Sequence, residues 1–182
     1  MDDHTALLHL LHERSVRHGD FTLASGAHST YYIDARPTTM SAEGLHLIGR
    51  LGVQAIRAQQ WSPAAVGGLT MGADPVAYAV ALASRAQATV IDAFSVRKEA
   101  KGHGTRRRVE GNFRPGDAVV VVEDVITSGG SAIQAIAAVE EAGGTVLGVL
   151  AVVDREQGGR AALVERGHPV AVLTTATELG LR

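Results

Sequence analysis

Apolar residues along the chain follow two spacings, one typical of buried strands and one typical of amphipathic helices. Residues 119–122 are four consecutive valines, which predict a strand buried on both faces of a parallel sheet. Apolar side chains then recur at helical spacing, so a helix is predicted to start near Gly130. Further strands are predicted at 64–68, 89–94, 145–153 and 170–175, and further helices at 2–16, 41–59, 76–86 and 161–166. This alternation favours an α/β fold with a central, mainly parallel sheet flanked by helices.

The N-terminal segment has a different pattern. Gly19 is expected to end the first helix, and Phe21 to Asp34 predict two short strands around a turn at residues 25–26. Neighbouring residues of a strand point to opposite faces, so of Tyr31 and Tyr32 one ring is expected to be partly exposed. An exposed ring could stack on a flat base.

Composition sets limits on the class of protein. A chain of 182 residues with 46% hydrophobic residues fits one domain, 1–182, with a substantial core. It has no cysteine, which excludes disulfides and thiol chemistry, and its net charge of −2 argues against a general binder of polyanions. No apolar run approaches the ~20 residues that span a bilayer, and the first residues lack the pattern of a signal peptide. We therefore expect a cytoplasmic protein with no membrane or nucleic-acid partner.

The valine strand is followed by polar groups suited to a phosphorylated sugar. Glu123 and Asp124 come first and suit hydroxyl groups or a cation, because a carboxylate repels phosphate. Residues 127–131 then provide hydroxyl donors, glycines that admit a close phosphate, and the free N–H groups of a helix start. An ordinary strand-to-helix turn is the alternative. The segment lacks the Gly-Lys-Ser/Thr ending of a P-loop and the glycine spacing of a dinucleotide site.

Residues 95–111 form a basic, glycine-containing stretch that predicts a mobile loop of about 96–113. Of the 17 basic residues in the chain, the two lysines, Lys98 and Lys101, both lie here. A solvated loop, a nucleic-acid patch and a lid over a polyanionic substrate are the competing interpretations. The lid agrees best with the phosphate-binding segment.

Four segments resemble one known family. Residues 119–131 resemble the phosphoribosyl pyrophosphate (PRPP) signature of type I phosphoribosyltransferases. Residues 21–34 are similar to the N-terminal hood of the orotate phosphoribosyltransferases, and 97–104 to their catalytic loop. The Val-Val-Asp-Arg segment that ends at Arg155 matches the same family. The resemblance implies a type I phosphoribosyltransferase fold with a small hood, mainly residues 1–40.

The resemblance also implies a role for each matching position. Orotate is expected to contact Tyr32, Ile33, Thr127 and Arg155, and the catalytic residues are expected to be Lys101, His103 and Asp124. Residues 69–75 are expected to hold pyrophosphate through their backbone. The residues expected to bind PRPP are Arg97, Lys98, Lys101, His103, Glu123, Asp124, Val125, Ile126, Thr127, Ser128, Gly129, Gly130 and Ser131. Mg²⁺ is expected to bind through PRPP, with Asp124 as a candidate side-chain contact.

The family resemblance implies a partner as well. Its catalytic loop closes over the active site of the neighbouring subunit, so a homodimer with shared sites is expected. Ala24 and Met71 stand where some members carry lysine. Two alternatives stay open at this stage: a phosphoribosyltransferase for another base, and a non-catalytic PRPP sensor that binds RNA or DNA. Arg155 favours an acidic base, and Lys101 with His103 favours an enzyme.

Overall fold

The computed structural model describes residues 1–22, 28–87, 90–99 and 108–181, whose strands form two sheets. The small antiparallel sheet contains β1 (Val16–Thr22) and β2 (His28–Ile33). The main sheet contains β3 (Ala65–Leu69), β4 (Asp92–Val96), β5 (Val109–Gly111), β6 (Ala118–Ile126), β7 (Thr145–Asp154) and β8 (Val170–Thr175). Its order is β5-β4-β3-β6-β7-β8, and every neighbouring pair is parallel except β4 and β5. The predicted mainly parallel α/β fold is confirmed.

Helices flank the main sheet. They are α1 (Asp3–Ser15), α2 (Arg36–Thr39), α3 (Ala42–Ala58), α4 (Ala73–Ala86), α5 (Gly130–Glu141) and α6 (Gly159–Val164). Two of them, α1 and α3, begin next to a residue whose side chain caps the helix. The Asp2 carboxylate accepts a hydrogen bond from the Thr5 N–H at the start of α1. The Ser41 hydroxyl accepts one from the Gly44 N–H at the start of α3. Such caps satisfy N–H groups that lack a partner within the helix.

The valines of β6 lie at the centre of the molecule. Val120 and Val122 face one side of the sheet and pack in a cluster with residues of α3 and α4. Val119 and Val121 face the other side and pack against residues of α5. All four are fully buried, which confirms the prediction of a strand covered on both faces.

The hood shares the core of the main sheet. Leu7 and Leu11 of α1 are fully buried in the same cluster as Tyr31 and Ile33 of β2. Tyr31 is 9% exposed and Tyr32 is 41% exposed, so the expectation of one buried and one partly exposed ring is confirmed. The β1–β2 hairpin is therefore held against the sheet by its buried face.

Several element boundaries differ from the sequence predictions, including those of β3, β4 and α6. Three further differences have a direct local cause. Gly19 does not end the first helix, because the chain leaves it after Ser15 and Val16 already pairs with Ile33 across the hairpin. Helix α4 begins at Ala73 rather than at Val76. Pro75 lies in its first turn, where a backbone N–H has no partner within the helix, so the N–H that proline lacks is not needed there. Strand β6 continues through the two acids to Ile126 because its pairing with β7 extends that far.

The predicted loop of about 96–113 contains a strand that its polar composition did not indicate. Strand β5 pairs with β4 in antiparallel fashion, and the Arg97 N–H donates to the Arg108 carbonyl at 2.8 Å. Residues 100–107 lie outside the described part of the chain. Within the described ranges, no helix has the length and apolar character that crossing a membrane requires.

Candidate active site

A cleft of about 1070 Å³ lies between the hood and the carboxyl ends of β3, β4, β6 and β7. This is the edge at which open α/β sheets bind ligands. The hood contributes residues 32–36, the end of β3 contributes 69–72, and the end of β6 contributes several residues from Glu123 to Ser131. Arg155 follows β7 and closes one side.

Most of the predicted site residues meet in this cleft. Those that line it are Tyr32, Ile33, Arg97, Lys98, Glu123, Asp124, Val125, Thr127, Ser131 and Arg155. Ile126 does not line it with its side chain, which is buried in the core below the loop. Ser128, Gly129 and Gly130 complete the turn between Thr127 and Ser131. Lys101 and His103, together with Ala24, lie outside the described residues, so their roles stay predictions.

The environment of Glu123 and Asp124, the two acids near the end of β6, disfavours their charged forms. Burial, followed by the negative charge of Asp124 and a hydrogen bond with it, raises the pKa of Glu123 to about 8. Burial also raises the pKa of Asp124, although the Val125 N–H, which donates to its Oδ1 at 2.9 Å, opposes the rise. A buried carboxyl group and a partly buried one beside it resist ionising together. Hydroxyl donors or a cation supplied by a ligand would stabilise their charged forms.

This arrangement predicts a pH-dependent cost to stability. Between the ordinary pKa of 4.5 and the folded value of about 8, unfolded Glu123 has lost its proton while folded Glu123 keeps it. The free energy of unfolding should therefore fall as pH rises through that window, by on the order of 2–4 kcal/mol from this group. Glu123→Gln removes this contribution, so the variant should gain stability over the wild type at pH 8 but much less at pH 5.

Urea denaturation at pH 5 and pH 8 measures the difference. Glu141→Gln, at an exposed position of α5, is the matched control and should shift stability little at either pH. An equal effect of Glu123→Gln at the two pH values would contradict the assignment of a raised pKa to Glu123.

Gly72 lies against Asp124. A Cβ at position 72 would fall 2.6 Å from Asp124 Oδ1 and 2.7 Å from its Cγ, closer than non-bonded atoms approach. The loop that carries Gly72 follows β3 and contains a cis peptide bond between Thr70 and Met71. The absence of a side chain at position 72 therefore lets this loop pack beside the carboxylate.

The turn from Thr127 to Ser131 leads directly into α5. Gly129 caps the helix in the left-handed conformation, with φ of 80°, which glycine adopts without strain. The N–H groups of the first turn of α5 face away from the helix body, and the helix dipole favours an anion at this end. The structure therefore has a loop of small residues directly before a helix start, and phosphate binding by this loop stays a prediction.

Arg155 is a buried cation, 6% exposed. Among the described residues, none forms a hydrogen bond with its Nε or Nη2. The guanidinium lies 5.2 Å from the centre of the Tyr31 ring, a cation–π distance. Its neighbour Asp154 accepts a hydrogen bond from the Glu156 N–H instead. Asp154 and Arg155 are both buried, so they do not form a surface ion pair.

The end of β4 contributes charged groups to the opposite side of the cleft. Arg97 Nε donates to Glu110 Oε1 at 2.9 Å, which places the guanidinium at the base of the predicted lid. Ser95 donates to Asp74 Oδ1 at 2.7 Å and so links the end of β4 to the first turn of α4. Lys98 is exposed at the rim.

Sequence reasoning missed several of these contributors. Tyr31 was predicted only as one of two alternating rings, yet it packs on Arg155, which is far away in the chain. Glu110 was included in the basic loop without a role, and Asp74 in the loop after β3. The packing of Gly72 on Asp124 had no sequence signal beyond the glycine itself.

Comparisons with known proteins agree with this geometry. The model of the phosphoribosyl transferase domain family matches residues 41–173. The orotate phosphoribosyltransferase of Aquifex aeolicus is 45% identical over 176 residues, which cover 95% of each chain. The crystal structure of the Mycobacterium tuberculosis orotate phosphoribosyltransferase with Fe(III) dicitrate superposes with a TM-score of 0.88 at 43% identity, covering 99% of this chain and all of the other. The same enzyme in complex with PRPP superposes with a TM-score of 0.84 at 39% identity, again over 99% and 100% of the two chains.

Fold, cleft and similarity together define the class: the chain belongs to the phosphoribosyl transferase domain family and has the fold of its type I members. Within that class it belongs to the orotate phosphoribosyltransferases. Its reaction is the transfer of the 5-phosphoribosyl group from PRPP to orotate, which gives orotidine 5′-monophosphate and pyrophosphate in pyrimidine synthesis. The similarity along the whole chain argues against an enzyme for another base and against a non-catalytic sensor.

Proposed function

We propose that Arg155 binds the carboxylate of orotate, and one observation carries this proposal. Two N–H-bearing nitrogens of its buried guanidinium have no hydrogen-bond partner in the part of the chain that the structure describes. A buried charge without a partner costs several kcal/mol, and a cation–π contact recovers only about 1–2 kcal/mol of that. A carboxylate that enters the cleft would supply the missing anion, and the planar guanidinium suits a two-point contact.

The exposed ring of Tyr32 supports a place for the flat pyrimidine next to Arg155. Tyr32 and Ile33 both line the cleft, and Phe21 packs against the Tyr32 ring with the centres 5.7 Å apart. This contact supports Tyr32 from behind, so that its ring can present a face to the base. Thr127 lines the same cleft and joins the proposed base site to the phosphate loop.

PRPP would extend from the start of α5 to the end of β4. Residues 125–131 would hold its 5′-phosphate through backbone N–H groups and hydroxyls. Glu123 and Asp124 would accept hydrogen bonds from the ribose hydroxyls, and these donors would favour the charged carboxylates. Arg97 and Lys98 would bind the pyrophosphate group on the far side.

Charge stabilisation is the main chemical task of this arrangement. Loss of pyrophosphate builds positive charge on the ribose and negative charge on the leaving group. Asp124 would stabilise the cationic sugar, while Lys101 and His103 of the predicted lid would stabilise the departing pyrophosphate. Orotate held on Arg155 would present its ring nitrogen to the ribose carbon.

The donor set fits Mg²⁺ that binds mainly through the substrate. Among the described residues, no group of three or more His, Cys, Asp or Glu side chains could hold a metal ion by itself. The hard oxygens of Asp124 and Glu123 do suit Mg²⁺, which commonly takes one or two carboxylates together with substrate phosphates. When bound, the ion would neutralise negative charge on pyrophosphate. A cytoplasmic location stays a prediction of the sequence.

We also propose a homodimer in which a second copy covers the outer face of α3 and α4. Leu82 and Tyr78 on α4 are 78% and 54% exposed and border a groove of about 780 Å³. The Tyr78 hydroxyl lies 3.4 Å from the Ser95 hydroxyl, and Ser95 lines the active-site cleft. A second copy seated on this face would therefore lie beside the cleft, as a shared site requires.

Leu82→Glu should break the dimer, because it places a charge in the apolar centre of this face. We expect light scattering after size exclusion to show a monomer, and activity to fall at least about tenfold if the sites are shared. Val164→Glu, at an exposed apolar position of α6 away from this face, is the control and should leave the assembly intact. A Leu82→Glu variant with the mass of the wild type would contradict the proposed face.

An assay of base specificity tests the proposed role of Arg155 in the wild type. With PRPP and Mg²⁺ present, the absorbance of orotate should fall as orotate is consumed. Turnover of uracil, which lacks the carboxylate, should be at least about 100-fold slower. Adenine and hypoxanthine should not react. Comparable turnover of uracil would contradict a site built around a carboxylate.

A further inference from the structure

The back of the phosphate loop, residues 127–131, is supported by the segment that follows β7. The Arg155 N–H donates to the Ile126 carbonyl at 3.0 Å, and the Gly159 N–H donates to the Thr127 carbonyl at 3.0 Å. These two bonds join both ends of residues 155–159 to the start of the loop. The arm that carries Arg155 and the loop that would hold the phosphate are thus parts of one hydrogen-bonded unit.

Gly159 is the point of closest approach. A Cβ there would lie 2.5 Å from the Thr127 carbonyl oxygen, 2.7 Å from the Gly129 nitrogen and 2.7 Å from Cγ2 of Ile126. Two of these three atoms belong to the backbone of the loop, so they can yield only if the loop itself moves. From the other side, a Cβ on Gly129 would lie 3.1 Å from the Gly159 carbonyl oxygen.

The requirement at Gly159 is for space, not for an unusual backbone conformation. Gly159 is not among the glycines with positive φ, whereas the preceding Gly158 has φ of 88°. Gly158 has space for a side chain, because a Cβ there would have no described atom within 4 Å. Gly159 is therefore required for space, whereas Gly158 is required for its backbone conformation.

We propose that Gly159 is a positioning residue for the PRPP 5′-phosphate. Its lack of a side chain lets the start of α6 pack on the back of the loop, and this contact sets the direction of the loop N–H groups toward the phosphate. The proposal rests on the proposed function of residues 127–131 as the phosphate site. It assigns Gly159 no contact with substrate.

Gly159→Ala should push the loop away from its position and weaken binding of the phosphate end specifically. We expect the KM for PRPP and the Kd for ribose 5-phosphate to rise about 10-fold to 100-fold, because sub-ångström to 1 Å misplacement of a binding group has effects of that size. The KM for orotate should rise clearly less than the KM for PRPP, since none of the three atoms nearest to the new Cβ belongs to Arg155. Gly158→Asn, which tolerates positive φ, is the matched control and should change neither constant by more than about threefold.

Steady-state kinetics with each substrate varied measure the two KM values. Calorimetry measures the Kd for ribose 5-phosphate, and thermal melting shows whether the variant is folded. Equal increases in the two KM values, or an unchanged affinity for ribose 5-phosphate, would overturn the proposal. If Gly159→Ala does not fold, Gly129→Asn, which tolerates the positive φ at that position, tests the same contact from the loop side. It should weaken ribose 5-phosphate at least about tenfold, and unchanged binding would overturn the proposal. Failure of the proposed function would look different, because the wild type itself would then not bind ribose 5-phosphate.

Discussion

Replacing Arg155 by alanine should raise the KM for orotate by about 100-fold or more and leave the KM for PRPP within about threefold. The guanidinium is buried, and no described residue forms a hydrogen bond with its Nε or Nη2, so the orotate carboxylate would be its main counter-charge. Loss of a buried, hydrogen-bonded charge pair costs about 2–5 kcal/mol. Steady-state kinetics with each substrate varied in turn measure the two constants.

Two further variants sharpen this test. Arg155→Lys keeps the charge but loses the planar two-point geometry, so it should recover only part of the orotate affinity. Arg160→Ala, at an exposed position in the following helix, is the control and should change neither KM. A parallel rise of the orotate and PRPP constants in Arg155→Ala would contradict the proposed role and indicate a general structural one.

Gly72→Ala should lower kcat/KM by about 100-fold through displacement of Asp124. The new Cβ would occupy the space of the Asp124 carboxyl group, which lies 2.6–2.8 Å from the ideal position. A shift of about 1 Å in a catalytic group costs rates of this order. The measurement is kcat/KM for both substrates at saturating Mg²⁺, with thermal melting to show that the variant is folded.

A double-mutant cycle separates this explanation from a general disturbance of the loop. If the clash with Asp124 is the cause, Gly72→Ala should add little to the loss already produced by Asp124→Ala, because the clashing carboxyl group is then absent. Fully multiplicative losses in the double variant would contradict the proposed link between the two residues.

Local sequence signals accounted for the elements that hold the site. The four valines of β6 and the small residues before α5 predicted the strand, the turn and the helix start, because burial on two faces and helix capping leave direct marks in sequence. At the start of α3, a helix also predicted from local pattern, the Ser41 hydroxyl accepts the Gly44 N–H. The resemblance to orotate phosphoribosyltransferases supplied what local pattern could not, namely the chemical identity of the base.

Contacts between distant segments could not be predicted from the sequence. Tyr31 and Arg155 are separated by most of the chain and meet because β2 folds over the end of β7. Gly72 against Asp124 and Gly159 against Thr127 are backbone approaches that depend on how neighbouring strands end. Strand β5 was missed because its pairing with β4, not its own polar composition, makes it a strand.

A crystal structure with orotidine 5′-monophosphate tests the central claim most directly. The claim is that one cleft holds the base at Arg155 and the phosphate at residues 127–131. It predicts the pyrimidine carboxylate about 3 Å from the Arg155 guanidinium and the phosphate oxygens at the same distance from N–H groups of the loop. A nucleotide bound in the reverse direction, or with its carboxylate away from Arg155, would contradict the account.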